Sequence, residues 1–218
     1  MSRKKISSLM VQNGLCSNAH RRKRVNTTDS RHNMLISDNL LNRQFDQPMP
    51  NKAWVTDTTY IRTMEGWLYL SVIIDLYSRR VVGWAMSGKI DAALAVAALK
   101  DALRVRKPAA GLIVHSDRGS KFASNTFRDA LAEAGALASM SAKGNCYDNA
   151  CAESFFHTLK VERVYTLNVY ATRAQAKVDI LSFLLYYNRT RLHSDLGYFS
   201  PYAFENLRIL KHSYGPAA

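Results

Sequence analysis

The sequence predicts an α/β fold: a five-stranded mixed sheet flanked by helices. Three observations point to it. Residues 54–87 hold three β-branched and aromatic segments separated by loops of hairpin length. From residue 90 onward, Ala- and Leu-rich segments at helical spacing alternate with two short apolar stretches. The 218 residues are 47% hydrophobic, enough for one main domain with attached arms.

Residues 1–53 read as a polar, basic arm lacking long periodicity, with His20-Arg21-Arg22-Lys23-Arg24 as its charge run and Gln47-Pro48-Met49-Pro50 marking its end. Strands follow at Trp54 to Arg62, Trp67 to Leu76 and Arg80 to Ser87, parted by Met64-Glu65-Gly66 and Tyr77-Ser78-Arg79. A helix from Ile90 to Arg106 is closed by Pro108 and Gly111, and Leu112 to His115 forms a fourth strand. A helix over Phe122 to Ala134 ends at Gly135, before a fifth strand at Leu137 to Met140. The polar loop Ser141-Ala142-Lys143-Gly144-Asn145 leads to a helix over Ala150 to Val164, with Asp148 or Asn149 as its cap. Residues 171–187 form another helix, and Ser200-Pro201 opens a last one. The expected division is an arm (1–50), a core (51–165) and a C-terminal helical extension (166–218).

The formal charge of +13 suggests an anionic partner, because a basic surface gains free energy by releasing counterions from phosphate chains. Residues 1–53 carry 10 basic and 3 acidic side chains, so the arm is the denser patch. The longest apolar run, Ala92 to Leu99, falls far short of the roughly 18–20 residues of a membrane span. Cys16, Cys146 and Cys151 form no C-x-x-C pair, and no fourth ligand completes a zinc site with His157. Reduced thiols in a cytoplasm are the expectation.

Three acidic residues carry the chemistry: Asp57 in a strand, Asp117 just past a strand end, and Glu153 in the first turn of a helix. Taken singly, each has an ordinary reading: a local amide contact for Asp57, an Asx turn for Asp117 before Gly119, and a favourable helix-terminus charge for Glu153. Taken jointly, three carboxylates on rigid elements suit Mg²⁺, a hard cation that takes oxygen ligands and, in phosphoryl transfer, works as a pair of ions on one phosphodiester. One ion bridged by Asp57 and Asp117 would serve the attacking oxygen, and a second held by Asp57 and Glu153 the leaving one. His157 and Lys160 follow Glu153 at helical spacing. Asp75 is read as a structural acid near Arg79 or Arg80. Tyr187 to His193 mixes aromatics with Arg189, Arg191 and His193, a composition suited to phosphate contact and base stacking or to capping a helix end.

The W-V-T-D block, the H-S-D-R-G-S block, the strand order and the 35 residues between Asp117 and Glu153 resemble the DDE transposase and retroviral integrase superfamily. Within it, S-V-I-I-D-L-Y-S-R-R-V-V-G-W, S-M-S-A-K-G-N-C-Y-D-N-A-C-A-E-S-F-F-H-T-L-K and Y-N-R-T-R-L-H are similar to the IS-three family of bacterial insertion-sequence transposases, over roughly residues 30–207. The resemblance implies an RNase H-like core with Asp57, Asp117 and Glu153 as catalytic and metal residues. It also implies two Mg²⁺ ions with Mn²⁺ as substitute, and 3′-end cleavage followed by strand transfer in a bacterial cytoplasm, at the nucleoid. DNA contacts are expected from His157, Lys160, Lys143, Asn145, Arg189, Arg191, Arg21, Arg22, Lys23 and Arg24. Self-association on paired transposon ends and target, and an upstream-frame recognition partner or fusion, are further expectations. Alternative readings are a metal-dependent RNase H-like nuclease that does not join ends, or an inactive DNA-binding remnant.

Overall fold

Strand β1 (Ala53–Thr63) is the spine of the sheet, and the chain was analysed in a computed structural model that describes residues 2–15, 32–142, 146–166 and 169–213. Strand β2 (Gly66–Asp75) returns antiparallel through the Met64-Glu65 turn, pairing Trp54 with Asp75 and Thr63 with Gly66. Gly66 leaves that turn at φ 102°, a conformation open to glycine at little cost. Strand β3 (Val81–Ser87) continues the meander. Strands β4 (Ile113–Ser116) and β5 (Leu137–Met140) add in parallel on the other side of β1, giving the order β3-β2-β1-β4-β5 and the expected mixed sheet.

Each face of the sheet buries its own core. On one face Trp54, Ile73, Val82 and Val114 meet helix α2 (Ala92–Arg106) and the pair α3 (Ser120–Ala123) and α4 (Asn125–Glu133). Helix α2 begins at the Asp91 cap, whose carboxylate accepts the Leu94 N–H at 3.0 Å, and ends at Lys107 in the left-handed conformation before Pro108. Its buried alanines Ala95, Ala98 and Ala102 allow close approach to β3: a Cβ on Gly83 would lie 2.5 Å from the Ala102 nitrogen. On the other face Val55, Ile61, Leu70 and Val72 meet α5 (Ala150–Leu159) and α6 (Arg173–Arg189) through Phe155, Phe156, Phe183 and Tyr187. Helix α6 therefore shares the main core. Helix α7 (Pro201–Ser213) is pinned by Glu205, buried beside Arg80 and Arg106.

Four expectations need correction. The arm contains helix α1 (Arg3–Gln12), capped by Ser2 and exposed throughout, because its polar first turn conceals a helical stretch with no core to mark its period. The helix expected over Phe122 to Ala134 is broken at Ser124, whose extended backbone ends α3 and whose hydroxyl accepts the Phe127 N–H to start α4. The helix expected through Val164 loosens into a π-turn over Lys160–Val164. Asp75 pairs with Arg106 at 3.0 Å and accepts the backbone N–H groups of Asn51 and Tyr77, whereas Arg79 turns to the Phe45 and Leu76 carbonyls.

Candidate active site

The parallel pairing of β1 with β4 sets the height of the first two carboxylates. Val55 pairs with His115, so Asp57 and Asp117, each two residues further on, leave the sheet at the same level. Strand β1 continues past that point while β4 stops at Ser116, which frees Asp117 to turn. The Asp117 Oδ1 accepts the Gly119 N–H at 2.9 Å, the Asx turn anticipated from sequence. A Cβ on Gly119 would stand 2.9 Å from that same oxygen, so a larger residue here would displace the Asp117 carboxylate.

Asp57 is half-buried and accepts the Thr58 N–H at 2.6 Å. Its pKa is pushed up to about 7, first by burial and second by the neighbouring Asp117; Lys121 and the Thr58 amide act the other way, and Glu153 adds a smaller upward push. Two carboxylates forced together away from water thus carry more negative charge than their surroundings balance.

Glu153 projects from an exposed face of α5. The start of α5 is tied down not by the expected side-chain cap but by two tertiary contacts. Asn149 Nδ2 donates to the Thr56 carbonyl at 3.3 Å, one residue before Asp57. Asp148, almost fully buried, accepts the Ala142 N–H at 2.8 Å, Arg43 Nε at 2.7 Å and Asn39 Nδ2 at 3.2 Å. The arm therefore contributes to the site: Asn39 and Arg43 clasp the turn that carries α5. Beneath them His115, buried between Ser139 and Ser141, has its pKa pushed down to about 4 chiefly by burial and is held neutral.

Of the remaining candidates, Lys160 lies over the Tyr60 ring at 4.7 Å, within electrostatic reach of Asp57, with its pKa lowered by burial. His157 is exposed one turn after Glu153, and Arg189 is exposed at the end of α6. Arg191 is paired in this structure: its guanidinium grips the part-exposed Glu162 through three contacts of 2.8–3.2 Å. Tyr187 is buried in the core and His193 packs edge-on against it at 4.7 Å, which ties both ends of this segment to the fold, while Arg189, Thr190 and Leu192 between them are exposed. Lys143, Asn145, Arg21, Arg22, Lys23 and Arg24 lie outside the described residues.

Sequence reasoning missed Lys121 and read Asp148 and Asn149 only as alternative helix caps. Lys121 follows Asp117 by one helical turn, and Asp148 and Asn149 stand just before the helix that bears Glu153; those spacings were the available signal. The donor set is all-oxygen and underneutralised, which fits a hard divalent cation. Among the described residues no three acidic, histidine or cysteine groups already stand close enough to hold an ion, so Asp57 and Asp117 form the preassembled part and Glu153 the part at the rim.

Residues 47–146 and 153–209 each match a family described as Integrase core domain. The chain is 46% identical over 179 residues to "Transposase InsF for insertion sequence IS3A" of Escherichia coli strain K12, covering 82% of this chain and 62% of that protein, so it spans about three fifths of the length of this curated relative. Its fold is similar to the simian T-cell lymphotropic virus intasome solved with PP2A regulatory subunit B56 gamma (TM-score 0.62, 16% identity, 82% of this chain and 60% of that one). It is also similar to the HTLV-2 integrase catalytic core domain in complex with magnesium (TM-score 0.58, 16% identity, 72% of this chain and 98% of that one). These neighbours share the RNase H-like fold of retroviral integrase cores. A sheet that aligns two acidic residues across a parallel pair, two matching segments over most of the chain and 46% identity to an IS3 insertion-sequence transposase place the protein in the integrase core domain family.

Proposed function

We propose that this chain is the catalytic part of an insertion-sequence transposase that cleaves DNA at the 3′ end of its element and joins that end to a target. The observation that carries the reading is the β1–β4 register, which places Asp57 and Asp117 side by side with α5 anchored next to them by Asn149 on the Thr56 carbonyl. In this reading residues 51–165 are the catalytic core, 166–218 its helical extension, and 1–50 the arm whose Asn39 and Arg43 brace the site.

Two Mg²⁺ ions, or Mn²⁺ in their place, would be held by Asp57 and Asp117 and by Asp57 and Glu153; when bound they neutralise charge on the attacking and leaving oxygens of the phosphodiester. Asp57 would be the shared ligand, in keeping with its sensing the charge of both other carboxylates and with its need of positive charge. Glu153 completes the set from the solvent side. Lys160 and His157 face the same side of the site and would contact substrate phosphate, with Lys143, Asn145, Arg189 and the run Arg21, Arg22, Lys23 and Arg24 extending the DNA path. Arg191 would join that path by exchanging its exposed ion pair with Glu162 for a phosphate. Assembly of several copies on paired ends, and a recognition segment or partner reading the end sequence, belong to the same proposal.

The test incubates purified protein and its Asp117→Asn variant with Mg²⁺ or Mn²⁺ and labelled duplex bearing the element's terminal repeats. Joined product from the wild type alone is the expected result. Hydrolysis without joining would assign a nuclease, and binding without cleavage a remnant.

A further inference from the structure

Lys121 lies where a surface lysine would not. It occupies the second position of α3, a single turn that starts just after Gly119, and only 9% of it is exposed. Its ammonium stands 3.9 Å from the Asp117 Oδ1 and 4.4 Å from the centre of the Phe122 ring, and a Cβ on Gly119 would come within 3.2 Å of it. Lysine is almost never this buried without an anionic partner. The carboxylates on this side are Asp117 in direct contact and Asp57, whose charged form Lys121 favours. Lys160, which also feels Asp57, comes instead from the α5 side and rests on Tyr60.

We infer that Lys121 is the resident counter-ion of the Asp57–Asp117 pair, so that a divalent cation enters this site by exchange against the lysine ammonium rather than by filling a vacant anionic hole. The inference deepens the metal-dependent reading proposed above and rests on it. Two cations a few ångströms apart on the same carboxylates repel, so an ion binding there must push the ammonium aside or bind less tightly for its presence. Lys121 is thus a positioning residue: it offsets the charge of the two carboxylates before metal arrives, and it sets how readily the pair accepts one.

The experiment uses the full chain and two readouts that need no catalysis: thermal unfolding without metal, and titration of free Mn²⁺ by electron paramagnetic resonance. Lys121→Met should lower the metal-free Tm by several degrees while binding Mn²⁺ roughly fivefold or more tighter, the direction set by removing a like charge beside the carboxylates. The Asp117→Asn, Lys121→Met double variant, which removes both charges, should recover most of the lost Tm. Unchanged or weaker Mn²⁺ binding by Lys121→Met would overturn the inference. If the single variant does not fold, the double variant decides: recovery supports a charge role, and failure shows that Lys121 acts by packing. Absence of Mn²⁺ binding by both the wild type and Lys121→Met would instead overturn the metal reading itself.

Discussion

Asp57 shows how a functional position carries a cost in stability. A carboxyl whose folded pKa is raised to about 7 from an unfolded value near 3.8 contributes stability below the lower value and loses it as pH rises to the upper one. Metal-free Asp57→Asn should therefore be more stable than the wild type at pH 8, by about 1–2 kcal/mol once solvent screening is allowed for, and should lose the Mg²⁺-dependent rise in Tm; urea unfolding with and without Mg²⁺ checks both. Histidines act in the opposite sense. His115 and His193 each have a folded pKa of about 4 against 6.5 unfolded, so the unfolded chain binds more protons between those values and stability falls as pH drops through that window. Asp57 offsets part of this loss. Replacing His115 with Gln should flatten the slope of Tm against pH between about 4 and 6.5. The three acidic residues could be proposed from sequence because each stands in a short flanking motif. The pairing of Arg191 with Glu162, 29 positions away in sequence, was not legible because the two meet only in the folded chain.

At the scale of elements, the interlocking of α2 with β3 and the seating of α5 decide where the site can form. Gly83→Ala forces a methyl group into the α2 backbone, with the Ala102 nitrogen 2.5 Å away, and should cost about 1–3 kcal/mol in urea unfolding while leaving Mn²⁺ affinity unchanged, because the clash lies on the face opposite α5. Asp148→Ala acts the other way around. It removes the acceptor for Ala142, Arg43 and Asn39, and should reduce kcat for end cleavage more than it raises KM for DNA, since it loosens the carrier of Glu153 rather than a DNA contact. Strand and helix positions were readable from β-branched runs, helical apolar spacing and turn residues. The break at Ser124 was not, because an internal N-cap serine and an exposed helix serine have the same sequence appearance until the backbone is seen.

Over the whole molecule, a net charge of +13 predicts DNA binding that weakens steeply with salt. Lys160→Ala should reduce the slope of log affinity against log salt by about one ion across DNA sequences, measured by fluorescence anisotropy; an unchanged slope would assign Lys160 to the Tyr60 contact alone. Among the described residues no helix is long and apolar enough to cross a membrane, in keeping with the shortness of the apolar runs.

Sequence alone determined the α/β class and the order of the five strands along the chain, since each depends on residues near one another in the chain, and the surplus of positive charge, which is a count. Tertiary structure decided that β4 pairs parallel to β1, which is what brings Asp57 level with Asp117. It also decided that Lys121 balances them, that Asp148 ties α5 to the arm, and that Arg106 rather than Arg79 or Arg80 meets Asp75. The Asp148 and Arg106 contacts join segments far apart in sequence, and Lys121, though only four residues from Asp117, is turned inward by the packing of α3, which no local pattern encodes.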